Sequence, residues 1–416
     1  MLLEMYLKQN NLSFQDMHYI SGISETTLRN IDKRDIAKWN IGYYDAIAKT
    51  VNKDRITVIN EIDILNKDIE DRNSKEILIG KYDIENRRYI GNKSKLMPWI
   101  KELIDKHTSG KSFFDVFAGT GIVTEFMLNE YDEFFINDFL FSNSVIYNAF
   151  FGNENIDIKK LKCISEKFNK IKERRYDDSY FSDNFGDKFF SMHDSIIIGE
   201  IRTRIENDVT INQREKDILL ASLLYSCDKI ANTVGHYDAY RKIKKIDDKF
   251  RFNLINPIDT EDKKINIYRN DSNELVKHIK ADVAFIDPPY NSRQYSRFYH
   301  LLETITKWNK PELSGVAMKP PAENISGYCK TNAPKMFDDL IHNLNVKYIV
   351  VTYNNTYTSK SKSSRNKITH DQILNSLNKV GKTMVFEKPF KFFNAGKTDL
   401  KNHKEFVFIT EVKSHE

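Results

Sequence analysis

Four consecutive residues, Asp287-Pro288-Pro289-Tyr290, close the apolar run Val283-Ala284-Phe285-Ile286. A carboxylate, a carbonyl held extended by the proline that follows it, and a flat aromatic ring thus lie within four positions. This set suits the capture of a planar amino group on a heteroaromatic ring. Such an amine is a poor nucleophile, because its lone pair is delocalised into the ring. Acceptors on its two hydrogens, from Asp287 and the Pro288 carbonyl, would localise that lone pair, while Tyr290 offers a face on which an extruded base can stack. The plainer reading is a strand followed by a proline-stiffened turn in which the aspartate is incidental, and four residues alone do not separate the two.

The elements that must position these residues are legible around them. Ala281 to Ile286 reads as a buried strand of a parallel sheet. It is ended by two prolines that cannot donate a backbone hydrogen bond. That leaves Asp287 and Tyr290 at a carboxyl edge, where open α/β sheets bind ligands. A second strand-turn-helix pattern lies at Phe113-Phe114-Asp115-Val116-Phe117-Ala118-Gly119-Thr120-Gly121, with Ile122 to Leu128 as the helix. Gly119 and Gly121 allow a sharp turn and close approach of backbone to ligand. A further strand, Phe134-Phe135-Ile136, ends in Asn137-Asp138, which places an acid where ribose hydroxyls are held in such folds.

Taken together these blocks resemble the amino-group DNA adenine methyltransferases of the Dam-like type. The resemblance implies that Asp287, Pro288, Pro289 and Tyr290 hold the target adenine and that the glycine turn binds S-adenosylmethionine. It extends to Arg88-Tyr89-Ile90-Gly91-Asn92-Lys93, similar to a family segment in which an aromatic and a lysine line the cofactor pocket. The family usually carries Trp-Ala-Gly-Gly-Lys there, so Tyr-Ile-Gly-Asn-Lys departs from it. The cofactor set implied is Tyr89, Lys93, Asp115, Phe117, Gly119, Gly121 and Asp138. Asp271 and Ser272 join it at the end of a short strand, Ile265 to Asn270; alternatively one of them simply caps the helix Asn273 to Ile279. No metal is implied. The block order is that of the alpha class, with the target-recognition region between the glycine turn and the aspartate motif.

The expected fold is therefore α/β: a Rossmann-like S-adenosylmethionine-dependent methyltransferase, with an inserted, mainly helical target-recognition region and a small all-α N-terminal domain. Its expected parts are a helix-turn-helix-like unit over 1–65, a charged linker over 66–85, a first methyltransferase portion over 86–152, the insertion over 153–260, and a second portion over 261–416. In the first unit Ser13 caps a helix through Tyr19-Ile20, Ser21-Gly22-Ile23 turns, and Ser24 caps Glu25 to Ile31. This resembles the helix-turn-helix of Cro-type repressors, with Thr26 and Arg29 placed to meet DNA; the alternative is a helical bundle that packs on a partner. In the insertion, Lys159 to Arg175 and Arg214 to Lys229 read as long charged helices, and Tyr176 to Phe190 as a loop or lid. Asn232, His236, Arg241 and Lys242 suit a DNA-facing loop, as Arg293 and Arg297 suit phosphates beside the motif. Ser359 to Lys367 reads as a basic loop. Thr369 caps a helix to Val380 ended by Gly381, and two strands, Met384 to Phe393 and Phe406 to Ile409, close the chain.

Composition limits the alternatives. With 64 Lys+Arg against 59 Asp+Glu, net +5, the chain is not a simple basic coat for nucleic acid, and it is compatible with a basic cleft on a mixed surface. Three scattered cysteines, Cys163, Cys227 and Cys329, suggest neither a disulfide framework nor a zinc site. No apolar run approaches the roughly twenty residues of a membrane span. The expected setting is a bacterial cytoplasm, with duplex DNA as partner, a cognate restriction endonuclease in the same system, and a monomer or weak dimer. Open alternatives are an amino-group methyltransferase acting on RNA adenine or protein glutamine, and a DNA-binding regulator on a methyltransferase fold.

Overall fold

The computed structural model describes residues 2–75, 79–174, 176–356, 364–390 and 403–413. It divides into two compact units, Met1–Lys75 with Lys93–Glu102, and Glu76–Asn92 with Leu103–Glu416.

In the second unit seven strands form one sheet: β1 (Ser112–Asp115), β2 (Glu133–Asn137), β3 (Lys264–Tyr268), β4 (Val283–Ile286), β5 (Tyr348–Asn354), β6 (Gly381–Pro389) and β7 (Lys404–Val412). Their order is β3-β2-β1-β4-β5-β7-β6. The first five run parallel, and β7 lies antiparallel between β5 and β6. From β1 the chain moves outward through β2 and β3, then returns to place β4 on the other side of β1. That reversal opens a crevice at the carboxyl ends of β1 and β4. The register aligns those ends, with Asp115 opposite Phe285. Phe113, Phe114, Ala284, Phe285 and Ile286 are wholly buried, as expected for parallel strands covered on both faces.

Differences from the expected pattern have physical causes. Gly381 ends the helix His370–Val380 as expected, but not in a left-handed turn. It is extended, and a Cβ there would meet the Glu411 carbonyl oxygen at 2.1 Å, so this glycine serves the close passage of β6 against β7. Tyr176 to Phe190 is not simply a loop: Tyr180–Phe185 is helical, and Phe181, Phe185, Phe189 and Phe190 are buried. Four phenylalanines outweigh the intervening acids. The helix Gln213–Ile230 is charged in sequence yet buried along nearly its whole length. Its charges are matched inside the protein: Asp217 accepts from the Asn148 amide at 2.6 Å, and Arg214 donates to the Glu154 carbonyl at 2.9 Å. The helix Met192–Asn207 carries Arg202, buried, which donates to the carbonyls of Ile305 and Thr306 at 2.6 and 3.1 Å. A cation there complements the C-terminal end of the helix His300–Lys307.

The first unit holds the helices Leu2–Gln9, Phe14–Ser21, Glu25–Asp32, Ile41–Val51 and Arg55–Lys75. Ser13 and Asp16 form a capping box, Gly22 turns with φ of 74°, and Ser24 accepts from the Thr27 amide. The boundary expected at 65 falls inside the last helix, because Val58, Ile62 and Leu65 are buried in this unit's own core. The residues 359–363 and 391–393, within the basic loop and the first closing strand expected from sequence, lie outside the described residues.

Candidate active site

Four segments meet at the carboxyl edge. After β1, Gly119 and Gly121 adopt φ of 55° and 81°, the left-handed region that glycine enters without a Cβ penalty. After β2, Asp138 receives the Gly119 amide on Oδ2 at 3.0 Å and the Leu140 amide on Oδ1 at 2.8 Å. The neighbouring Asn137 is the fastener of this edge. Its side-chain amide donates to the Val116 and Asn270 carbonyls and to Ser272 Oγ, each at 3.2 Å, and its oxygen accepts the Asn270 amide at 3.0 Å. One buried side chain thus ties the ends of β1, β2 and β3 together. The sequence signal for it was an asparagine directly before the acid.

The expected cofactor residues divide accordingly. Asp271 caps the short helix Ser272–Leu275 through the Asn273 amide and stays exposed, so capping and ligand contact are compatible for it. Ser272 is buried and engaged with Asn137 and Val116. Phe117 is half-buried, edge-on to Tyr328 at 5.1 Å. Asp115 is buried, with Thr124 donating to Oδ2 at 3.0 Å and no hydrogen-bond partner on Oδ1 among the described residues. Lys93 is buried in the segment that belongs to the other unit and is not counted in this site.

Tyr89 stands over the glycine turn. A Cβ at Gly119 would come within 3.3 Å of its ring. Tyr299 stacks on Tyr89 at 4.8 Å and 7°, and Tyr295 at 5.3 Å and 28°. The Arg87 guanidinium lies 5.0 Å from the Tyr89 ring centroid and donates to Asn143 at 2.5 Å. Tyr147 donates its hydroxyl to the Gly119 carbonyl at 2.8 Å. Sequence reasoning placed Tyr89 by resemblance and missed Arg87, Asn143, Tyr147 and the two tyrosines that hold it.

Across the crevice, Asp287 Oδ1 accepts the hydroxyls of Tyr290 and, at 2.9 Å, of Thr352. The Tyr290 ring packs edge-on to Tyr353 at 4.6 Å. Its carbonyl accepts the Lys367 amide at 2.8 Å and the Tyr353 hydroxyl at 3.3 Å. Thr352, buried on β5, carries no motif of its own and was not foreseen.

Charge is concentrated in this cleft. Burial pushes the Asp115 carboxyl up to about 7, and the nearby Asp287 charge adds to the rise. Burial also raises Asp138, to about 6. The Tyr290 hydroxyl is pushed far up by burial and then by Asp287. The two strand ends are therefore close enough for their acids to influence each other.

A family model described as "D12 class N6 adenine-specific DNA methyltransferase" matches residues 89–359. The chain belongs to this family. It is 33% identical over 290 residues to the modification methylase LlaI of Lactococcus lactis subsp. lactis, covering 64% of this chain and 46% of that protein. It is 34% identical over 292 residues to the modification methylase StsI of Streptococcus sanguinis, covering 64% and 44%. The chain thus spans about half the length of these two relatives. It is also 29% identical over 347 residues to the type II methyltransferase M.NlaIII of Neisseria lactamica, covering 78% of this chain and 98% of that protein.

A D12-class methyltransferase implies S-adenosylmethionine as methyl donor, and the residues around the Gly119 turn fit it. Only glycine at 119 leaves the Tyr89 ring unobstructed. Buried Asp115 Oδ1 lacks a protein partner among the described residues. Asp138 is fixed to the turn by the Gly119 amide, and Asp271 is exposed.

The residues expected to meet DNA are differently placed. Asn232 closes its own loop, donating to the Lys188 and Arg241 carbonyls at 2.9 and 2.8 Å. His236 stacks on Phe298 at 4.5 Å. Arg241 and Lys242 are exposed. Arg293 donates to Ser364 at 2.7 Å and Arg297 to the Pro320 carbonyl at 2.6 Å, so both are anchored to loops beside the motif. In the other unit Thr26 and Arg29 are exposed on the helix after the Gly22 turn.

Proposed function

We propose that this protein transfers the methyl group of S-adenosylmethionine to the N6 amine of adenine in duplex DNA, as the modification enzyme of a restriction-modification system. The observation that carries the reading is the opposition of Asp287 and the Gly119 turn at the β4 and β1 carboxyl ends, with Thr352 and Tyr290 fixing the carboxylate.

S-adenosylmethionine would supply an electrophilic methyl carbon on a sulfonium, and the Phe117 to Gly121 turn and Asp138 would hold it. The protein's task is to present the amine. Adenine leaves the duplex at a cost of a few kcal/mol and lies against Tyr290. Its N6 hydrogens are donated to Asp287 and to the Pro288 carbonyl, which turns the nitrogen lone pair toward the methyl. The N–C bond would form as the S–C bond broke, and the proton would then leave the methylated nitrogen to water. Asp287 acts chiefly by holding geometry, and positioning supplies most of the rate. Arg241 and Lys242 reach phosphates, and the exposed helix with Thr26 and Arg29 adds DNA contact in the manner of a Cro-type unit. The helical region 153–260 serves target recognition.

Transfer of tritium from labelled cofactor to DNA, RNA and protein tests the proposal. Label in DNA, recovered as N6-methyladenine, is the expected result. Label only in RNA or protein would replace the substrate.

A further inference from the structure

The segment just after the motif, Tyr295 to His300, touches both sides of the site. On the cofactor side Tyr295 and Tyr299 both pack against the Tyr89 ring. Both also grip the next residue: Tyr299 Oη accepts the Ile90 amide at 2.8 Å, and Tyr295 Oη donates to the Ile90 carbonyl at 3.2 Å. Arg87 covers Tyr299 as well as Tyr89, at 5.6 and 5.0 Å. Tyr89, packed against both tyrosine rings and followed by Ile90 held at both its backbone groups, has little freedom of its own. Where Tyr89 stands is decided by where Tyr295 and Tyr299 stand.

The same short segment builds the 231–240 loop. Phe298 stacks on His236 at 4.5 Å and 18°. The Phe298 carbonyl accepts the Tyr237 amide at 2.8 Å, and His300 Nε2 donates to the Tyr237 carbonyl at 2.9 Å. The loop residue Asp238 is ion-paired to Lys319. The two sets of contacts lie on adjacent residues of one backbone. A displacement that loosens Tyr299 from Ile90 must also pass through Phe298 and His300.

We propose that Tyr295 and Tyr299 are positioning residues for the cofactor cleft, and that through them occupancy of the cleft orders the 231–240 loop on the DNA side. The inference rests on the cofactor reading above. Ligand that fixes Tyr89 favours one placement of Tyr295 and Tyr299, hence one placement of Phe298 and the loop. Linkage makes this reciprocal: DNA held by the ordered loop favours the cofactor by the same factor.

Hydrogen–deuterium exchange of the full chain, with and without S-adenosylhomocysteine, tests this without knowing the DNA sequence recognised. Saturating S-adenosylhomocysteine is expected to slow exchange in peptides spanning 231–240 by about fivefold or more, beside the protection at 87–91 and 117–121. Tyr299→Phe keeps the ring stack and loses the acceptor for Ile90. It is expected to bind S-adenosylhomocysteine roughly tenfold more weakly and, even at saturation, to lose the protection at 231–240. Tyr295→Phe is expected to behave likewise with a smaller effect, and an unchanged melting temperature excludes general misfolding in either. Wild-type protein that binds S-adenosylhomocysteine and protects 87–91 without any change at 231–240 would overturn the coupling and leave the cofactor reading standing. Protein that binds no S-adenosylhomocysteine would overturn both.

Discussion

Thr352 donates its hydroxyl to Asp287 Oδ1 at 2.9 Å, across from β5 to the end of β4. Thr352 is buried and lies on a strand held on both sides, by β4 and β7, so its hydroxyl is a fixed point. It sets the rotation of the carboxylate that receives the amine. Thr352→Val keeps shape and removes only the donor. Turnover is expected to fall about tenfold to a hundredfold, since a hydrogen bond to a charged group contributes roughly 1.5–3 kcal/mol, with KM for DNA little changed. Thr352→Ser should restore most of the rate. Steady-state kinetics on the three proteins checks this.

Tyr290 has two separable parts. Its hydroxyl binds Asp287 and its ring serves for stacking. Tyr290→Phe is expected to lose less than Tyr290→Ala, because base–aromatic stacking is worth about 1–3 kcal/mol per base. Single-turnover rates on duplexes carrying adenine at the target, and extrusion read from the fluorescence of 2-aminopurine placed there instead, distinguish the two parts.

Gly119→Ala should weaken cofactor binding without unfolding the protein. The substituted residue would sit at φ of 55° with its Cβ 3.3 Å from the Tyr89 ring. Calorimetric titration with S-adenosylhomocysteine is expected to show at least a tenfold rise in Kd.

Asp115 is raised to about 7, chiefly by burial. A carboxyl whose folded value lies above its unfolded value near 3.9 binds more protons folded than unfolded between those limits. Its stabilising contribution is complete below the unfolded value and is lost as pH rises through about 7. Stability of the ligand-free protein should therefore decline from pH 5 toward pH 7.5. Asp115→Asn, which cannot ionise, should flatten that decline, as read from denaturant midpoints at each pH.

The parts of the site that follow from chain order were legible in the sequence; the parts that follow from folding were not. Asp287 and Gly119 announced themselves because each ends an apolar run in a residue that sheets place at a carboxyl edge. Ser13, Ser24 and Thr369 were legible as caps because capping is local. Thr352 is one threonine in Tyr348–Asn354, and only the parallel register of Ile286 with Val351 brings it to Asp287. Tyr299 lies more than two hundred positions from Tyr89, so no local pattern pairs them. The helix Gln213–Ile230 misled for a related reason: composition shows its charges, and only packing shows that Asp217 and Asp228 have internal donors.

The central claim is that Asp287 holds the amine that is methylated. Its most direct test is mass spectrometry of nucleosides from unmethylated duplex DNA incubated with S-adenosylmethionine and either wild-type protein or Asp287→Ala. Wild-type protein is expected to deposit N6-methyladenine, and Asp287→Ala none above background while still binding S-adenosylhomocysteine. Undiminished N6-methyladenine from Asp287→Ala, or none from active wild-type protein, would contradict the account.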